Sequence, residues 1–95
     1  MDALAYLMSA YFHQDWDVDG GTVADTVDQF AGEPADLRRT CADQIDELVR
    51  RDLAEGALRD QLVAWGCDYR PGDTDEDHRR WLLDIREQIL ASLPS

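Results

Sequence analysis

Apolar residues recur along this chain at three- and four-residue intervals, and no stretch alternates convincingly with period two. That rhythm predicts helices, each burying one stripe. Leu4, Leu7, Met8 and Tyr11 make the first stripe and predict a helix from about Asp2 to Phe12. Gly20 and Gly21 then release the chain, and Thr22 with Asp25 three residues on reads as a weak capping box for a second helix. Val23, Val27 and Phe30 line its inner face, and Gly32 ends it. Pro34 suits the first turn of a third helix, because its missing N–H would be unbonded there anyway. Leu37, Cys41, Ile45, Leu48 and Val49 follow as its core side. On the opposite side Asp46 with Arg50 and Glu47 with Arg51 are i,i+4 pairs in the favourable order, so that face is solvated.

Asp52 and Glu55 read as the capping box of a fourth helix, with Leu58, Leu62 and Trp65 inward and Gly66 closing it. From Gly66 to Asp73 the residues Tyr69, Pro71 and Gly72 argue for a loop. Thr74, followed by Asp77, caps the last helix; Trp81, Leu82, Ile85, Ile89 and Leu93 are its buried stripe. Asp75 with Arg79 and Glu76 with Arg80 are expected as ion pairs on its outer face, and Pro94 stops it. Trp65 and Trp81 sit at core phases, where a buried indole N–H needs a partner. Trp16 falls in a loop, which must fold back to bury the ring. Five helices with one apolar stripe each must share a core. The expected fold is therefore all-α, a compact bundle forming a single domain over residues 1–95.

Length agrees, since 95 residues make one domain. Charge adds more. There are 21 acids against nine bases, all of them arginine, for a formal net charge of −12. The acids are dispersed among periodic apolar residues, which argues against disorder. Phosphate would be repelled, so direct nucleic-acid binding is excluded and the sign points to a basic partner, a cation or simple solubility. Cys41 and Cys67 are too few for a disulfide scaffold and fall at apolar positions, as small buried hydrophobes do. No apolar run is long enough for a membrane span, and the first residues lack the positive segment of a signal peptide. The expectation is a cytoplasmic protein with reduced thiols.

Candidate chemistry concentrates in Tyr11-Phe12-His13-Gln14-Asp15-Trp16-Asp17-Val18-Asp19-Gly20. Asp15, Asp17, Asp19 and Gly20 match positions 1, 3, 5 and 6 of a calcium-binding EF-hand loop. Position 12, which must supply a bidentate carboxylate, is Thr26, and the normally apolar position 8 is Thr22. A transition-metal or hydrolytic site built on His13, Asp15 and His78 lacks ligands, for the chain has only two histidines and no Cys-x-x-Cys. Ser9, Ser92 and Ser95 sit in no nucleophile motif. The third reading is architectural and is preferred: Tyr11, Phe12 and Trp16 clamp the loop to the core, and His13, Gln14 and Asp15 satisfy backbone groups. Asp17 and Asp19 then face outward. No catalysis, metal or cofactor is expected.

At Tyr-Phe-His-Gln-Asp-Trp, residues 11–16, the chain resembles the CdiI-like immunity proteins of bacterial contact-dependent growth inhibition and related polymorphic toxin systems. The likeness continues through Leu62, Gly66-Cys67-Asp68-Tyr69 with Pro71, and Arg80-Trp81-Leu82 with Ile85. Residues 31–60 carry no matching motif. The resemblance implies a helical domain that binds and neutralises a cognate toxin, without catalysis; that nucleic acid and membrane are not its partners follows from the charge and the lack of a long apolar run. Many such toxins are nucleases, whose phosphate-holding arginines and lysines suit an acidic partner. Acids paired on helices, such as Asp46, Glu47, Asp75 and Glu76, fit a merely solvated surface. The loop acids Asp17, Asp19, Asp68 and Asp73 have no helical partner and are the candidate toxin-binding residues, with Tyr69 as the aromatic anchor. A different class remains beside this one: a small acidic adaptor or nucleic-acid mimic that binds a basic protein outside any toxin system.

Overall fold

Five helices form in the order that the apolar periodicity predicts: α1 (Asp2–Tyr11), α2 (Val23–Phe30), α3 (Ala35–Arg50), α4 (Ala57–Ala64) and α5 (Asp75–Ala91). They belong to a computed structural model that describes residues 1–12, 22–51 and 53–93, among which there is no strand. The expectations for His13, Gln14, Asp15, Trp16, Asp17, Asp19, Gly20, Gly21, Asp52 and Pro94 lie outside the described residues.

Two helices carry their own start signals. The Asp25 N–H donates to Thr22 Oγ1 at 3.1 Å, and the Thr22 N–H donates back to Asp25 Oδ2 at 3.2 Å. Thr74 and Asp77 repeat the exchange at 3.2 and 3.4 Å, so both predicted capping boxes form. Thr74→Ala is expected to cost about 1 kcal/mol, the ordinary value of an N-cap hydroxyl. Urea denaturation followed by circular dichroism checks this, and an unchanged midpoint would show that the cap adds nothing.

The other short helices borrow their caps. In α1 the Leu4 N–H donates to Gln44 Oε1 of α3, 2.9 Å away. For α4 the N-cap is Gly56, so the helix begins later than the expected Asp52–Glu55 box would start it. The chain enters it through Gly56 at φ 92°, a left-handed conformation that suits glycine, and no local side chain caps it. Asp75 of α5 does so instead. Its carboxylate accepts from the N–H groups of Gly56 (3.0 Å), Leu58 (3.2 Å) and Arg59 (3.4 Å). Glu55 reaches back to accept from the Asp75 N–H at 3.1 Å. Asp75 is buried, so the expected surface pair with Arg79 is also corrected: Arg79 lies 3.9 Å from Glu76. Three N–H donors at the positive end of a helix hold a carboxylate better than one guanidinium on the same helix.

The end of α4 is local again. Gly66 (φ 95°) donates to Val63 O at 2.9 Å and Cys67 donates to Leu62 O at 3.0 Å, a Schellman arrangement with Leu62 and Cys67 both buried beside it. α3 packs against α1 and α5, α2 against α5 and α1, and α4 against α5. The shared core holds Leu4, Leu7, Met8 and Phe12 from the first segment, Phe30, Ile45 and Leu48 from the middle, and Leu62, Trp81, Leu82, Ile85 and Ile89 from the last two helices. Leu93 falls beyond α5 and is only half-buried, because the helical phase that would have turned it inward ends at Ala91. The pairs Asp46–Arg50 (2.9 Å), Glu47–Arg51 (3.4 Å) and Glu76–Arg80 (3.4 Å) form on exposed faces, where each contributes little.

Candidate functional site

Adjacent residues Tyr11 and Phe12 serve different regions. Phe12 is fully buried and meets the Trp81 ring edge-on, with centroids 5.1 Å apart. Tyr11 packs edge-on against Phe30 at 5.4 Å and donates its hydroxyl to Glu33 Oε1 at 2.7 Å, an oxygen that also accepts from Tyr6 at 2.9 Å. Burial first, and then the hydrogen bond to that carboxylate, push the Tyr11 phenol above its ordinary pKa. The motif's first two residues thus tie α1 to the α2–α3 turn and to α5.

The loop 67–73 is seated on the Phe12–Trp81 pair. Tyr69 lies tilted on Trp81 with centroids 4.9 Å apart, and on Phe12 at 6.3 Å. The Asp68 N–H donates to Phe12 O at 2.7 Å, fixing the loop to the end of α1. Close packing fixes its other end, since a Cβ at Gly72 would collide with the Asp77 side chain that caps α5. On this frame Tyr69 is half-buried, and Asp68 and Asp73 are exposed without an ion pair among the described residues. Asp68, Tyr69 and Trp81 thus come together; Asp73 stands further along the same loop. Asp17, Asp19, His13, Gln14, Asp15 and Trp16 are outside the described residues.

Tyr69 stands between two clefts. The larger, about 380 Å³, is bounded by α4 and the loop and is lined by Arg59, Asp60, Val63, Asp68, Arg70 and His78 among others. The smaller, about 230 Å³, lies against α5 at Asp77, Arg80, Trp81 and Asp84. His78 is buried, with Nδ1 2.7 Å from Thr74 O. A carbonyl oxygen only accepts, so Nδ1 carries the proton of that bond. The Trp81 Nε1–H, by contrast, is buried without an acceptor among the described residues, contrary to the expectation that a buried indole is bonded. Burial pushes the Cys41 thiol up to about 12 and the Cys67 thiol up to about 11, so both are protonated and unreactive at neutral pH.

The larger cleft was not evident from the sequence. His78 carried one usable signal: it lies three and four residues before Trp81 and Leu82, in the phase of the core stripe. Val63 and Arg70 carried none. Among the described residues no group of three His, Cys, Asp or Glu side chains is placed to hold a metal ion, and no helix is long and apolar enough to cross a membrane.

Comparison with known proteins bears on what such a surface is for. The search of curated proteins gives no match. Among solved structures, the chain is similar to one in the "Crystal structure of CdiA-CT/CdiI complex from Y. kristensenii 33638". Identity is 28%, the match covers 93% of this chain and 96% of that one, and the TM-score is 0.79. The model of the family described as CdiI immunity protein matches residues 1–89. That match takes in α1 to α4, the 67–73 loop and most of α5, and the chain belongs to the CdiI immunity protein family.

Proposed function

We propose that this protein binds and neutralises a cognate CdiA-CT toxin in the cytoplasm of the cell that makes it, acting by occupation and without catalysis. The family match over residues 1–89 carries the reading, and the similar solved chain comes from a CdiA-CT/CdiI complex. The toxin is a basic nuclease domain. A net charge of −12 supports that choice, because a nuclease holds phosphate with cationic side chains that an acidic surface can engage instead.

The contact face in this reading centres on the 67–73 loop, with Asp68 and Asp73 outward and Tyr69 as anchor, and the reading counts Asp17 and Asp19 among the acids that meet the toxin. A half-buried tyrosine on an aromatic base is already ordered, so little side-chain entropy is lost when a partner covers it. Tyr69→Ala is expected to speed dissociation and to weaken binding by about 2 kcal/mol or more. Asp68→Asn and Asp73→Asn should slow association and flatten its salt dependence, as rim charges do. The measurements are binding kinetics at two ionic strengths against the toxin domain encoded beside this gene, and rescue of cells expressing it. Salt-independent association would remove the electrostatic argument. Absence of both binding and rescue would remove the immunity assignment.

A further inference from the structure

The smaller cleft, on the α5 side of Tyr69, has charges that do not balance. Asp77, Arg80 and Asp84 are the charged side chains that line it among the described residues. Arg80 has an acid four residues away in each direction, Glu76 before it and Asp84 after it. On a helix an acid placed N-terminal to its base is the better order, and Arg80 pairs with Glu76 at 3.4 Å. Asp84 is left exposed, with no ion pair among the described residues. Asp77 accepts from the Thr74 N–H at 3.4 Å, and a backbone N–H brings no counter-charge. Arg70, the only base of the 67–73 loop, lines the larger cleft and not this one. Two carboxylates therefore share the smaller cleft with a guanidinium that a third acid already pairs.

Size and lining narrow the occupant. At about 230 Å³ the cleft is below the range of small-molecule pockets, roughly 300–1,000 Å³, and suits a single side chain. Tyr69 and Pro71, both half-buried, and Trp81 give it an apolar wall. A neutral side chain laid over Asp84 would strip water from the carboxylate and return no charge. An acidic one would add repulsion. Lysine and arginine alone combine a cationic head for the carboxylates with a hydrocarbon stem for the wall.

We infer that the cleft between the 67–73 loop and α5 receives a lysine or arginine side chain of the toxin, with Asp84 as its principal counter-charge and Asp77 as the second. This rests on the immunity reading above and adds to it a covered charge contact on α5, beside the rim acids of the loop.

A charge covered together with its partner acts on dissociation, whereas a rim charge that stays wet acts on association. That difference defines the test. Asp43 is a matched control: it is exposed on α3, has no ion pair among the described residues and lines neither cleft. Binding kinetics are measured against the adjacent toxin domain, with thermal melting of each variant alongside. Asp84→Asn is expected to weaken binding about tenfold or more, mainly through faster dissociation, while its melting temperature holds. Asp43→Asn removes the same charge and should stay within about threefold of wild type, with any change in association. Equal losses in both would show that only net charge is read, and would overturn the inference. So would an Asp84→Asn variant that dissociates like wild type. A double-mutant cycle between Asp84→Asn and alanine variants of the toxin should find coupling to one lysine or arginine, and coupling to none would overturn the cationic occupant. If wild type itself fails to bind, the immunity reading falls too; if wild type binds and Asp84→Asn matches it, only the cleft contact falls.

Discussion

Asp75→Ala is expected to destabilise the protein by about 2–4 kcal/mol, the cost of leaving a helix start without a buried charged acceptor. Its carboxylate receives three N–H groups at the beginning of α4, and its own N–H is held by Glu55. Removing the side chain strands all three donors, because Gly56 at the helix entrance has no side chain to replace it. In a chain of this size each kcal/mol moves the melting temperature by about 4–8 °C, so the loss is easily read by circular dichroism. Asp75→Asn keeps an acceptor oxygen without the charge and should lose roughly half as much. A change below about 0.5 kcal/mol for the alanine variant, the usual range of a surface substitution, would mean that the carboxylate does not hold α4.

A larger loss is expected from Trp81→Ala, about 3–5 kcal/mol, as for other buried aromatics cut to alanine. Trp81 is buried, and its ring supports Phe12 on one side and Tyr69 on the other. Its removal empties the platform on which the 67–73 loop rests. Trp81→Phe separates ring from donor. The indole N–H is buried without an acceptor among the described residues, so its removal should partly offset the lost volume and keep the cost to about 1–2 kcal/mol. Denaturation by urea measures both. A phenylalanine variant as unstable as the alanine one would show that the indole N–H is bonded in solution.

The three acids that open α5 illustrate how far local reading extends. Asp75, Glu76 and Asp77 are adjacent and chemically alike, yet Asp77 caps its own helix, Glu76 pairs with Arg80, and Asp75 turns inward to cap another helix. The first two roles span three or four residues and can be read directly from the sequence, as can the Thr22–Asp25 box. The third spans 17 residues from Leu58 to Asp75, and i,i+4 spacing to Arg79 suggested a surface pair instead. Gln44 capping α1 across 40 residues is the same kind of event. Core stripes were legible because burial repeats with the helical turn. Tyr69 was legible by residue type and loop position. The cleft beside it was not, since it exists only where α4, the loop and α5 meet.

Borrowed caps also bear on how the protein is made. A nascent chain emerges from the ribosome with its N-terminal end first. α1 and α4 are too short to be stable alone and lack side-chain caps of their own, so neither settles when its own residues appear. α1 waits for Gln44, and α4, with the cleft it walls, waits for Asp75 at the start of the last helix. A chain arrested before residue 75 therefore contains every residue of α4 and still lacks what orients it. On the proposed function, protection begins only once α5 has been made, and a cell exposed to sudden attack depends on folded molecules already in stock.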